Sequence, residues 1–473
     1  MINLKVLGHA CLLVEIGNKK ILFDPWITGS VYWRSWWNYP PLNYDEIEKI
    51  KPDYIILTHL HWDHFHGPSL RKLGLDIPLI IPRTPELRLK KDLEDIGVKN
   101  IIEIPHGSNF KISNILNLYC YQFHPLTDSV WVVNSGDFNL LNSNDCKIMG
   151  SPLKQILKKH KKFNFAFRSH SSANSRLCYQ IIDEKNKHID DLEKYSKEFI
   201  TFAENVNTEF AIPFASNQCY LHKETVKFNK TVNFSRNVKK YSIDNNIKSV
   251  NIEEMVPGDS WSSDDGFRKV NKDWYSNIEE EINHYQNSVQ SSLDSQESLE
   301  ENFHLNEKII KRFIERFKKV PAFLRLFLRK KKVIFSLTNC DKSNQSMIKN
   351  VEFDFFKCKY KIVSDSVLNN TSINLIIPAY VFFSCVKNEN FNSLGISKRV
   401  VYKCSRKDVK VVQLIDLYLN FLDYRIFPLN KYIRLRSIGE WIRRWRELYF
   451  YIIYFINHKI LRREFNYKDY IEF

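Results

Sequence analysis

The chain has 473 residues, is 44% hydrophobic and carries a formal net charge of +16 at neutral pH. That length suits two or more packed domains with ample material for a core. No uninterrupted apolar run approaches the roughly 20 residues that cross a bilayer. Nine scattered cysteines, an odd number without paired spacing, argue against a disulfide framework and for reduced thiols. The chain opens as Met1-Ile2-Asn3-Leu4-Lys5 and enters a strand pattern at once, without a signal-peptide pattern, so a cytoplasmic location is expected. Charge is uneven: +7 over residues 1–250, −9 over 251–300 and +18 over 301–473. The basic surplus suits an anionic ligand, a phospholipid surface or an acidic partner. No recognised reading module accompanies it, so a nucleic-acid partner is not expected.

Strand-like runs recur at Ile2–Val6, Cys11–Ile16 and Lys20–Phe23, with Gly17-Asn18 as the hairpin turn between the last two. Tyr54–Leu57 is the next strand. Directly after it comes Thr58-His59-Leu60-His61-Trp62-Asp63-His64-Phe65-His66-Gly67, four histidines and an aspartate within eight positions. Imidazole and carboxylate at this density suit one or two transition metals. In an extended loop His59 and His61 point the same way and can grip one metal. Asp63 and His64 follow a turn and can reach a second, and such a pair of metals clamps the substrate oxygens. His66 is read as a surface residue. A helix is expected near Pro68–Leu73, strands at Leu79–Ile81, Leu116–Tyr121 and Val130–Val133, and a helix around Leu192–Asn205.

The HxHxDH run resembles the metallo-β-lactamase superfamily. The opening Leu7-Gly8-His9-Ala10 and Phe23-Asp24-Pro25-Trp26 are similar to the branch containing ascorbate-phosphate lactonases and N-acylphosphatidylethanolamine phospholipase D. Asp24-Pro25-Trp26-Ile27-Thr28-Gly29, Trp36-Trp37 and Pro40-Pro41 resemble the metal domain of the CMP-N-acetylneuraminate hydroxylase family. The resemblance implies an α/β fold, an αββα sandwich over residues 1–261. It implies metal ligation by His59, His61, Asp63, His64, His124 in Gln122-Phe123-His124-Pro125, and Asp145 as the bridging carboxylate. Asp137 competes with Asp145 but sits in a Ser-Gly-Asp turn that needs no metal to explain it. His222, after Pro213-Phe214-Ala215, and His170 are both candidates for a last ligand or an acid/base group. His9 is expected at the rim of the site as a catalytic residue with Asp63 and His222. Asp24 is expected behind the ligands, fixing a histidine tautomer.

Cys219-Tyr220-Leu221-His222 reads CxxH, half of a Rieske signature, but CxH occurs nowhere in the sequence. A Rieske cluster within this chain is excluded, because two cysteines and two histidines are required. Val256-Pro257-Gly258-Asp259 closes the sandwich as a turn with a candidate substrate contact. Residues 262–305 are acidic and polar and read as a linker or exposed helix. Residues 306–432 read as a smaller α+β domain. It opens on a helix with Ile309, Ile310, Phe313, Ile314 and Phe317 at helical spacing. Strands follow at Val333–Leu337, Val351–Phe356, Tyr360–Val363, Ile373–Ile377 and Val400–Tyr402, with a helix near Val409–Leu422. This unit is similar to the sterol-carrier-protein-like module of the hydroxylase family and could bind an apolar ligand or cover the metal cleft. Residues 433–473 form a basic, aromatic helical tail. Trp441, Trp445, Leu448 and Ile452 are spaced for one face that docks on the protein, with peripheral membrane contact as the alternative.

The expected activity is that of a metal-dependent hydrolase with two divalent transition metals, zinc first and manganese or iron as alternatives. A metal-bound hydroxide would attack an ester, lactone or phosphodiester in an anionic small molecule or lipid. The alternative is a di-iron hydroxylase subunit, which would need a separate ferredoxin-type electron donor.

Overall fold

The computed structural model describes residues 1–123, 128–171, 173, 175–184, 192–338, 347–370, 372–457 and 466–471. Among them, two large sheets face each other. The first runs Gly266–Arg268, Ser260–Ser262, Ile2–Val6, Leu12–Ile16, Lys19–Phe23, Tyr54–Ile56, Leu79–Pro82 and Ile101–Ile104 in spatial order. The second runs Asn251–Ile252, Thr208–Pro213, Phe163–Arg168, Phe138–Asn144, Asp128–Ser135, Asn117–Phe123 and Ser108–Lys111. Alternation along each strand turns one set of side chains inward. Val6, Val14, Phe23 and Ile56 meet Leu118, Trp131, Leu140 and Phe165 in one buried layer. Helices Gly67–Leu73 and Arg88–Asp95 cover the outside of the first sheet, and Gly150–Lys159 and Leu192–Asn205 flank the second. This is the expected α/β sandwich. Several strands run past the apolar runs that announced them: Asp128–Ser135 begins two residues before Val130 because Phe123 pairs with Asp128 in the ladder.

A third sheet orders Tyr179–Ile181, Val401–Cys404, Ile373–Pro378, Val333–Thr338, Met347–Asp354 and Lys359–Val363. Its first strand is lent by the sandwich half, Tyr179 pairing with Tyr402 in parallel. Asn306 caps helix Glu307–Phe317 by accepting from the Lys308 N–H, and that helix buries Ile310, Phe313, Ile314 and Phe317 on this sheet. The stretch read as a linker or exposed helix holds two packed helices, Ile278–Ser288 and Gln290–Glu301. Ile282, Tyr285, Val289 and Leu293 recur every three or four residues and face the core. So few apolar residues suffice because the polar remainder faces water, apart from Glu300, which is buried against Arg399 at 2.6 Å.

Arg88 ties the two halves together. It is buried in the sandwich half and donates to the backbone oxygens of Glu389, Asn388 and Asp423 in the other. The tail forms helices Leu435–Arg443 and Trp445–Phe455. Its docked face is not the predicted aromatic one. Arg444 is buried, donating to Gln122 O at 2.9 Å and to Glu447, and Glu447 lies 2.8 Å from His106. Trp445 and Ile452, expected to dock, are exposed. A buried charge network docks the tail together with Phe450, which joins the core of the second sheet with Tyr451 and Tyr454 against it.

Candidate metal centre

The strand Tyr54–Ile56 delivers the chain into the loop at His59, and the ladder ends there because the next residues turn. Two groups of ligand-type atoms converge, each within 4.8 Å: His9, Asp63 and His64, and His59, His64 and Asp145. His9 Nε2 lies 3.1 Å from Asp63 Oδ2, and His64 Nε2 lies 3.3 Å from Asp145 Oδ2. His59 Nε2 and His61 Nδ1 are 2.9 Å apart. His9, expected at the rim, is 1% exposed and sits inside the cluster.

Each loop histidine has its outer nitrogen engaged, which tests whether the inner one suits a metal. The Asp24 carboxylate accepts from the Thr58 N–H at 2.8 Å and the Thr58 hydroxyl at 2.7 Å. With its proton given to Asp24, Thr58 Oγ1 accepts from His59 Nδ1 at 2.9 Å, leaving His59 Nε2 as the lone-pair atom. His64 Nδ1 donates to Asp24 at 2.9 Å, leaving Nε2. With His61 Nε2–H given to the Tyr424 hydroxyl at 2.9 Å, Nδ1 is presented. A cationic metal fits this donor set of neutral imidazoles and carboxylates oriented from behind. Asp24 thus takes the predicted place behind the ligands, in a left-handed conformation of φ 40°, with Asn144 also donating to it.

The electrostatics follow. Burial drives the His59 imidazole well below its usual range, and neighbouring His64 and His61 push the same way. Burial would lower His64 too, but Asp63, Asp145 and Asp24 surround it and hold it well above, so its Nε2 lone pair would be offered to a metal only as the cation displaces that proton. Burial would raise Asp63, yet His64 and His9 keep it ionised well below the usual carboxylate range.

The other predicted residues are placed as follows. Asp145 joins the cluster, its side chain 30% exposed, whereas Asp137 is exposed in its turn. His124 lies outside the described residues. His222 belongs to neither ligand group; it is buried and accepts the Glu224 N–H at 3.2 Å. His170 is buried, its ring nitrogens make no hydrogen bond of standard geometry, and burial lowers it to about 3. His66, read as a surface residue, is instead buried against Ser69 at 2.7 Å, because it begins helix Gly67–Leu73; burial lowers it to about 4. Asp259 holds its loop by accepting from the Val256 and Val270 N–H groups, a turn role.

Two tyrosines at the centre were not foreseen. Tyr32 donates to Asp63 Oδ1 at 2.5 Å from a run in which Tyr32, Trp33 and Arg34 are all left-handed. Such a run is costly for residues with a Cβ. Tyr424 arrives from the second half of the chain. The aromatic density of residues 32–37 hinted at the first; nothing local marked the second. On the outer side of the loop, Trp62, Phe65 and His66 line a cleft of about 740 Å³ together with Arg34, Arg71 and Lys387.

Residues 4–98 match the sequence profile of the Metallo-beta-lactamase superfamily. The chain is 30% identical over 154 residues to cytidine monophosphate-N-acetylneuraminic acid hydroxylase of Mus musculus, covering 31% of this chain and 26% of the relative. It is 33% identical over 155 residues to the same-named protein of Xenopus laevis, with the same coverage. The chain thus spans about a quarter of the length of these curated relatives. Among solved structures, Igni18, described as a novel metallo hydrolase from Ignicoccus hospitalis, matches with TM-score 0.36 and 14% identity over 55% of this chain and 97% of its own. CmlA, a diiron β-hydroxylase from Streptomyces venezuelae, matches with TM-score 0.38 and 14% identity over 55% of this chain and 53% of its own.

Proposed function

We propose, on the profile match over residues 4–98, that the chain carries a metallo-β-lactamase-type metal domain and is a metal-dependent hydrolase acting on an ester, lactone or phosphodiester bond. The observation that carries this reading is the pair of ligand groups meeting at His64. Because His64 has only Nε2 left, it can serve one centre at a time. His59 Nε2 and His61 Nδ1 would then hold one metal, and His9, Asp63 and His64 the other, with Asp145 between them. Bound divalent metals, zinc first with manganese or iron as alternatives, would supply Lewis-acid activation of water and charge neutralisation at the substrate oxygen. Tyr32 holds the Asp63 carboxylate in place, and Asp24 and Thr58 fix the histidine tautomers. The cleft on the outer side of the loop is lined by six cations, Arg34, Arg71 and Lys387 among them, against the carboxylates Asp92, Asp95 and Glu389, a surplus that favours an anionic substrate. The eight described cysteines, all buried and free, fit a cytoplasmic setting.

A second reading is a di-iron hydroxylase subunit with a ferredoxin-type donor. It is favoured by the hydroxylase relatives, which match about a third of this chain. Elemental analysis of protein purified without added metal, with its visible spectrum and a panel of phosphodiesters and lactones, separates the two. About two zinc or manganese per chain, no colour and turnover of a panel member support hydrolysis. Iron with an absorption band in the visible and no hydrolysis moves the second reading to first place.

A further inference from the structure

The two tail helices have two faces, and only one is used within the chain. Ser437, Glu440, Arg444, Glu447 and Phe450 point inward and are buried. Leu435, Ile438, Ile442, Trp445, Tyr449 and Ile452 point outward at steps of three and four. Leu435 is 88% exposed, Ile442 68%, and Trp445 and Tyr449 62% each. A helix that only docks turns its polar side to water. Here most of the large apolar residues face out while both glutamates and Arg444 face in, and a contiguous exposed apolar patch marks an interaction surface.

The charges on that outer side share one sign. Both glutamates of the two helices, Glu440 and Glu447, are turned inward, whereas Arg434 and Arg446 are exposed; Arg443 reaches back to Ser108 at 3.2 Å. We propose that this face lies on an anionic lipid surface, with the apolar stripe in the headgroup boundary and the arginines on the lipid phosphates. Tryptophan, tyrosine and arginine beside aliphatic residues are the composition that settles at that boundary. A second copy of the chain fits less well, since a self-complementary interface would set these arginines against their own kind. The contact is peripheral: among the described residues no helix is long and apolar enough to cross a membrane. The docked face rests on Gln122 of the second sheet, so the lipid contact lies on the same half as the metal centre. The proposal does not depend on which reaction the centre performs.

Co-sedimentation of the full chain with vesicles tests it, using phosphatidylcholine alone or mixed with phosphatidylglycerol. Binding is expected to the mixed vesicles and to weaken steeply with salt. Ile442→Asp combined with Trp445→Asp should reduce it at least about tenfold, and Arg434→Glu or Arg446→Glu about fivefold each. The altered positions are exposed, so thermal melting and metal content should stay at the wild-type level; Trp445→Ser is the milder substitution if the double one misfolds. Absence of vesicle binding by wild-type protein overturns the proposal. So does a concentration-dependent dimer that the same substitutions abolish without any vesicle binding, which would assign the face to a second copy.

Discussion

His61 and His64 stand three positions apart in one loop, yet different parts of the molecule hold them. The His64 side is built wholly within the sandwich. Asp24, Thr58 and Asn144 form one buried network behind it, and every member comes from a strand end of the two facing sheets. The His61 side is closed from outside, by the Tyr424 hydroxyl contributed 363 positions later in the chain and braced by Asn392. The first half of the centre should therefore survive loosening of the second domain, and the other half should not.

Removing the sandwich-side support is the largest expected effect. Asp24→Ala leaves the Thr58 and His64 donors buried without an acceptor. It should cost about 3–5 kcal/mol in urea unfolding and lower metal affinity about 10–100-fold by titration. Gly150→Ala tests the docking of the tail. Gly150 has φ +59°, and a Cβ there would run into the Phe450 ring. The expected loss is about 1–3 kcal/mol, seen as faster protease cleavage within residues 433–457 while the sandwich resists. Tyr424→Phe sharpens the comparison directly. Losing one hydrogen bond costs about 1 kcal/mol, and metal titration should show one centre weakened and the other unchanged. Equal weakening of both would show that the two sides are not separately supported.

The smallest effect concerns the second domain alone. Burial, then the nearby Asp423, raises the half-buried Asp416 to about 6. An acid raised in the folded state binds its proton more tightly there than when unfolded. Its stabilisation is complete below the unfolded carboxylate range and is lost as pH rises through about 6. Asp416→Asn should therefore be the more stable protein at pH 8, by roughly 1 kcal/mol once partial exposure is discounted, and the gap should close towards pH 4. Thermal melts at the two pH values read this out.

The legible part of the centre was the part written in consecutive residues. His59, His61, Asp63 and His64 needed only a strand to deliver them and a turn to separate them. Asp145 likewise followed a strand. The sandwich was legible from short apolar runs because its central strands are buried on both faces, by the facing sheet and by the covering helices.

Three things were decided only by the tertiary structure. His9 moved from rim to interior because the connection between the first two strands is held by Asn38 and Ala215 and covered by Trp26 and Trp36 beside Asp63, contacts that no local pattern encodes. Tyr32 and Tyr424 reached the centre through a left-handed turn and across a domain contact. A single tyrosine carries no spacing signal for either. The tail shows the limit most clearly: helical periodicity revealed two faces, but apolar residues are normally the buried ones. Which face docks was set by His106, Gln122 and Glu447 making a buried charge network around Arg444, a choice that depends on partners more than 300 positions away in the chain.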